Sequence, residues 1–374
     1  MIAKTSDIIK AMENFAPFHL AEEWDNVGLQ VGQNNWPVKK VWIALDPAPD
    51  VVEAACNNDI NLIITHHPLI FQPLKSIDFS TPVGRVINMA VRHRTGIFSA
   101  HTNLDSAKDG INDVIATRIG LKNLKVLGKV RGAENYKLVL YVPVEYEQQV
   151  LDSFFEIMDM AGEIENYSCC SFRTKGKGTF KPGSQANPFI GKLGEITQTD
   201  EIRIETIVQR SNLKSVIRHV RKAHPYEVPA YDVYPLITQE NAQGIGRIGE
   251  LDEKKELADF ALEIKKILKL KSIKIVGKPN LSVKTASVCT GSGSSLMNNF
   301  FSSGSQVYIS GDLRYHDARA VEAANLGLID IGHFASEHLI VEVLAERLQK
   351  VLVESEFDVK VEACKLEKDP FVVL

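Results

Sequence analysis

Long apolar runs are missing from this chain. None approaches the roughly 18 residues that a membrane span needs, so a membrane helix is not expected. Cysteine is scarce: 5 of 374 residues, at positions 56, 169, 170, 289 and 364. The number is odd, and neither a CxxC pair nor a repeated frame is present. That argues against a disulfide scaffold and a zinc ribbon and fits a reducing cytoplasm. Excess positive charge is also lacking. Lys+Arg is 43 against Asp+Glu 47, a net charge of −4, which makes non-specific nucleic-acid binding a poor reading. The first residues carry Asp7 and Glu13 where a signal peptide would need an apolar core, so no secretory leader is expected.

What remains has the composition of a globular protein, 44% hydrophobic and 24% charged. The length suggests two or three domains at roughly 150 residues each. The first third alternates strand and helix. Residues 41–45, 62–64 and 96–100 read as buried strands, the second without alternation, as in a sheet covered on both faces. Ile8, Met12 and Phe15 share a helical face. Thr81 and Pro82 open another helix, where proline at the first position loses no hydrogen bond. From about residue 134 the texture changes to a strand (136–142), a helix through Val150, Leu151, Phe154 and Met158, two strand-like stretches, a helix from Leu213 and a strand at 231–234. That order suggests a ferredoxin-like unit. After a polar linker at 239–244 the α/β grammar returns, with strands at 273–276, 286–289, 307–309 and 328–331. The reading is an α/β protein: a split α/β domain of two related halves, 1–127 and 239–374, with a metal site between them and an inserted ferredoxin-like α+β domain at 128–238. Insertion at a surface loop is tolerated because loop closure costs grow slowly with length.

The chemistry-bearing residues gather where these strands end. One strand runs into Thr65-His66-His67-Pro68, another into His101-Thr102-Asn103-Leu104-Asp105. A third runs into Gly311-Asp312, and a fourth into Gly332-His333 with Glu337 four residues on. Sites in open α/β sheets form at the carboxyl ends of parallel strands. The chain has 10 histidines, and His66, His67, His101 and His333 all fall at such ends. Adjacent histidines in extended chain point to opposite sides, so His66 and His67 suit two ions better than one. His333 and Glu337 share a helix face, so Glu337 can chelate with His333 or bridge. His66, His67, Asp105, His333 and Glu337 together suit a pair of divalent ions such as Zn, Fe, Mn, Co or Ni. Two ions side by side with open positions are a hydrolytic arrangement. His101 is either a further ligand or a base or orienter beside the ions.

Other motifs are weaker. Gly244-Ile245-Gly246-Arg247-Ile248-Gly249 matches GxGxxG but follows no hydrophobic strand, which argues against a dinucleotide. The glycine-serine stretch 290–295 is either an anion cradle or a plain turn. His224-Pro225-Tyr226-Glu227-Val228-Pro229 reads as a rigid turn or as a lid. His316 and His338 read as solvent-facing or core-satisfied.

Glu23-Trp24-Asp25-Asn26-Val27-Gly28, the two histidine motifs, Gly311-Asp312 and Gly332–Glu337 resemble, in order, the motifs of the family of GTP cyclohydrolase 1 type 2 homologs, also called Nif-three-like proteins. The insert is similar to the PII-like or copper-tolerance-like module of its longer bacterial members. The resemblance implies two divalent ions on His66, His67, Asp105, His333 and Glu337, with the glutamate bridging, and a toroidal homohexamer. It also implies hydrolytic opening of the guanine ring of GTP or of a related cyclic amide or nucleotide. Glu23, Asp25, Arg314 and Arg319 are available to a guanine nucleotide. On that reading Glu337 bridges, and His101 or Asp312 orients or accepts a proton. The alternative is a non-catalytic metal carrier or regulatory partner protein.

Overall fold

The computed structural model describes residues 2–129, 135–155, 161–164, 167–210, 212–236 and 243–372. The expected helix position Met158 and the linker positions 239–242 lie outside them. The chain divides into two compact units, Met1–Arg131 with Ala242–Leu374, and Gly132–Asn241.

The first unit is a mixed α/β structure built on two large sheets. One has five strands in the order Lys360–Ala363, Lys40–Ala44, Leu62–Thr65, Gly96–Ser99 and Gly28–Val31. The first four run parallel and the last is antiparallel. Leu62–Thr65 is buried at every position, as its unbroken apolar run requires. Both faces are covered. Ile8 and Met12 of helix Thr5–Phe15 pack on one face beside Val341, Leu344 and Leu348 of helix Leu339–Glu354. Val52, Ala55, Val86 and Ala90, from helices Pro49–Asn57 and Pro82–His93, pack on the other. Thr81 caps the latter helix by accepting a bond from the Gly84 amide at 3.1 Å, and Pro82 follows in its first turn.

The second large sheet has six strands, in the order Lys274–Val276, Gly327–Asp330, Val307–Gly311, Ser282–Ser292, Arg247–Glu256 and Lys122–Val126. Its three middle-running strands, Ser282–Ser292, Val307–Gly311 and Gly327–Asp330, are parallel. The halves read from the sequence are not self-contained. Lys360–Ala363, from the end of the chain, pairs with Lys40–Ala44, and Lys122–Val126, from the first third, pairs with Arg247–Glu256.

The second unit runs strand Asn135–Pro143, helix Glu147–Phe155, strands Ser171–Phe180 and Thr197–Gln209, helix Leu213–Ala223 and strand Tyr231–Leu236. All pairings are antiparallel, and the last strand sits at the edge beside the first. Val150, Phe154, Val216 and Val220 of the helices cover Leu138, Leu140, Ile202 and Ile204 of the sheet. In the expected turn, the Tyr226 amide donates to His224 Nδ1 at 3.0 Å, and His224 Nε2 bonds the Tyr141 carbonyl at 2.9 Å. Among the described residues no helix is long and apolar enough to cross a membrane.

Candidate metal centre

Both large sheets of the first unit deliver side chains at the carboxyl ends of parallel strands. The ladder continues past Thr65. His66 and His67 donate their amides to the carbonyls of Ala44 and Leu45 at 3.2 and 2.9 Å, which fixes the two rings at the strand end. The strand Gly96–Ser99 leads to His101, which precedes the short helix Thr102–Ser106 carrying Asp105. Strand Val307–Gly311 leads to Asp312. Strand Gly327–Asp330 leads to helix His333–Glu337, where the two functional side chains lie one turn apart.

These residues meet. Glu337 Oε2 lies 3.0 Å from His67 Nε2 and 3.0 Å from His333 Nε2, while its Oε1 lies 3.7 Å from His66 Nε2. His67 Nε2 and His333 Nε2 are 3.3 Å apart. Asp105 Oδ1 is 3.6 Å from His66 Nε2. Ligand atoms of His66, His67 and His101 fall within 4.8 Å of one another, as do those of His67, His333 and Glu337.

Donor spacing and donor chemistry both fit a metal. An ion held at about 2.1 Å from tetrahedral ligands separates them by about 3.4 Å, close to the distances here. His66 Nε2, Asp105 Oδ1 and Glu337 Oε2 are buried, and none has a hydrogen-bond partner among the described residues. Buried polar atoms are ordinarily paired, so three such atoms in one cluster with the nitrogens of His67 and His333 mark a place for a cation.

Each imidazole is held from behind. His66 donates through Nδ1 to the Ala100 carbonyl at 2.9 Å. His67 Nδ1 meets Asp46 at 2.8 Å, His101 Nδ1 meets Asp25 at 2.9 Å, and His333 Nδ1 meets Asp312 at 2.7 Å. An acceptor on Nδ1 leaves Nε2 as the basic, ligating nitrogen. Asp312 therefore stands at the outer nitrogen of His333, away from the converging atoms.

The charges respond to one another. Burial works against ionisation of Glu337, but the charges of His66 and its other histidine neighbours hold its carboxyl well below the usual range. Burial would lower His67, yet Asp46 and Glu337 outweigh it and raise it to about 10. Contact with Glu337 outweighs burial at His333 and, helped by Asp312, raises it to about 9. Burial pushes Asp105 up against the pull of His66. Burial also opposes ionisation of Asp25, but bonds from His101 and Thr102 lower it to about 2.

Sequence reasoning did not assign Asp46, although it too follows a parallel strand, Lys40–Ala44. Asp25 is here an anchor: it takes the Thr102 amide at 3.0 Å and the Thr102 hydroxyl as well as His101. Glu23, Arg314 and Arg319 have exposed or solvent-facing positions and no contact with the converging atoms among the bonds of the described residues. His316 is exposed, and His338 stacks on Phe334 at 4.6 Å. Trp24 and Phe71, each about half exposed, flank His101 with ring centroids at 6.2 and 6.5 Å.

The first two amides of the glycine-serine stretch are taken up within the fold. Its Thr290 amide donates to Asn112 Oδ1 at 3.0 Å and its Gly291 amide to Ser336 Oγ at 2.8 Å, so neither is available to an anion. Gly291 has φ +61°, and a Cβ there would stand 2.2 Å from Glu337 Oε1. A bare backbone is what lets this strand pass the carboxylate. The GxGxxG match also has no nucleotide geometry: a Cβ at Gly244 would meet the Lys129 carbonyl at 2.4 Å, and the motif runs directly into strand Arg247–Glu256.

Fold and site thus define an α/β protein with buried histidine and carboxylate groups that could hold a metal ion. A model of the family described as Duf34/NIF3 (NGG1p interacting factor 3) matches residues 3–370, and the chain belongs to that family. A Halalkalibacterium halodurans protein named GTP cyclohydrolase 1 type 2 homolog is 38% identical over 100% of both chains. The crystal structure of a Bacillus cereus protein related to NIF3 is 37% identical, with a TM-score of 0.79 and full coverage of both chains. A Staphylococcus aureus structure is 29% identical, with a TM-score of 0.82, covering 100% of this chain and 99% of the other.

Proposed function

We propose that this chain is a dinuclear divalent-metal hydrolase acting on GTP or a related cyclic amide or nucleotide. The observation that carries the reading is the orphaned trio of His66 Nε2, Asp105 Oδ1 and Glu337 Oε2, set among the nitrogens of His67 and His333. His66 lies nearest one oxygen of Glu337, with Asp105 beside His66, and His67 and His333 lie nearest the other, so this carboxylate could serve two ions. Zinc, iron, manganese, cobalt and nickel all suit imidazole and carboxylate donors. When bound, such ions polarise the bond to be hydrolysed and make water a competent nucleophile at neutral pH.

The chain's own residues do the rest. Asp46, Asp312 and the Ala100 carbonyl hold the three rings in register. His101, backed by the ionised Asp25, is placed to accept a proton during attack and return it to the leaving nitrogen. Asp312 positions His333 and takes no part in proton transfer. Trp24 and Phe71 offer a planar substrate an aromatic wall beside His101. The names of the relatives favour GTP as the first substrate to test.

The same reading makes the chain a cytoplasmic homohexamer. Its second unit is a ferredoxin-like, PII-like module; the strand order with the last strand beside the first supports this.

The test is metal analysis of the protein as purified, followed by turnover of GTP and of a panel of cyclic amides. Two ions per chain and a product that disappears in His67→Ala are expected. If the metal-loaded protein turns over no cyclic substrate while its ions pass readily to a partner, the hydrolase reading falls and the metal-carrier alternative replaces it.

A further inference from the structure

The second unit holds a cavity of about 560 Å³ that the metal-centre reading does not use. That volume is within the range of small-molecule sites. Strands Ser171–Phe180 and Thr197–Gln209 contribute to its lining, together with the turn at Tyr226. Its walls are aromatic: the rings of Phe180 and Phe189 lie 5.9 and 6.4 Å from that of Tyr226.

One ionisable group is sunk among them. Glu201 is 8% exposed, and no lysine or arginine among the described residues pairs with it. Its Oε1 accepts the Tyr226 hydroxyl at 3.0 Å. Its Oε2 sits 2.2 Å from where a Cβ of Gly178 would be, so the carboxylate lies against bare backbone there. Burial, and then the contact with Glu201, raise Tyr226 to about 12, so it remains a donor and the carboxylate keeps its remaining lone pairs for something else. Lys175 and Lys181 line the cavity, as do Lys177, which is within 3.8 Å of Asp200, and Arg203, within 3.0 Å of Glu205. Neither Lys175 nor Lys181 has an ion pair among the described residues.

We propose that this cavity is a binding site for a guanine nucleotide. The aromatic walls select a flat ring. A buried carboxylate accepts only, so the ring must bring N–H donors, and guanine presents two adjacent ones where adenine presents one. The unpaired lysines then take the phosphate as a charge-assisted contact. A single molecule with a flat donor edge and an anionic tail satisfies all three features. The site needs no metal ion, so it stands or falls separately from the hydrolase reading.

The test is calorimetric titration of the full chain, treated with chelator, with GMP, using AMP, guanosine and inorganic phosphate as comparisons. GMP is expected to saturate one site per chain, about tenfold more tightly than AMP. Glu201→Gln is expected to cost about tenfold or more, the worth of a hydrogen bond to a charged group. Lys175→Ala with Lys181→Ala, a surface change that keeps the test available if the first variant does not fold, is expected to weaken GMP several-fold and leave guanosine unchanged. The proposal is overturned if GMP shows no saturable binding, if phosphate alone binds as tightly as GMP, if AMP equals GMP, or if the lysine variant binds GMP as the parent does.

Discussion

Asp46 touches none of the orphaned atoms, yet it decides which nitrogen of His67 faces them. Its bond to Nδ1 fixes both the ring plane and the tautomer. Asp46→Ala is therefore expected to weaken metal binding by about 10 to 100-fold, read by competition with a chromogenic chelator. Unchanged affinity would mean that the ring is held by packing alone. The same residues set the pH response. With His67 raised to about 10 and His333 to about 9, both rings carry protons at neutral pH in the metal-free chain. A divalent ion must displace those protons, so binding releases them and tightens as pH rises towards 9. Titration in buffers of different ionisation enthalpy measures the count, and binding without proton release at pH 7 would contradict the charge balance. His66 and His67 stood out in the sequence because they directly follow an apolar strand. Asp46 did not, because a lone aspartate after a strand, ahead of Pro47, carries no mark in the sequence of the imidazole it meets.

Among the elements, strand Ser282–Ser292 is the one whose shape the site depends on. At Gly291 it turns through φ +61°, and any side chain there would occupy the space of the Glu337 carboxylate. Gly291→Ala combines a strained backbone with displacement of a central ligand, and a cost of about 1 kcal/mol or more is expected. Metal content should fall far more than the melting temperature does. A variant that keeps its full metal content would show that Glu337 moves aside freely. The sequence offered this stretch equally as an anion cradle or a turn, since glycine and serine serve both. Only the partners of the amides, Asn112 and Ser336, separate the two. Several strands escaped the sequence reading, two of them in the second large sheet. Arg247–Glu256 is mostly charged and Lys122–Val126 is short and lysine-rich, so neither has the β-branched alternation that marks a strand. They exist because Ser282–Ser292 and each other supply the ladder; pairing partners far away in sequence leave no local trace.

At the scale of the whole molecule the chain returns to its beginning. Lys360–Ala363 completes the edge of the first sheet, and helix Leu339–Glu354 covers one of its faces with Ile340, Val341, Leu344 and Leu348. Glu367, beyond that strand, accepts the amides of Leu45 and Asp46, at 2.8 Å for each, so the end of the chain also braces the loop that carries Asp46. Reading the sequence as two halves with an insert did not show this exchange, because periodicity shows which face of a helix is apolar and not which sheet it covers. The exchange has a measurable consequence. Four buried aliphatic side chains at about 1.5 to 3 kcal/mol each contribute on the order of 10 kcal/mol, comparable with the whole stability of a domain. Residues 1–127 expressed alone are therefore expected to lack a cooperative unfolding transition and to give a poorly dispersed amide spectrum. Supplying residues 243–374 in trans should restore both, together with metal binding, since His333 and Glu337 lie on that piece. A sharp thermal transition from residues 1–127 alone would show that the first sheet does not need the end of the chain.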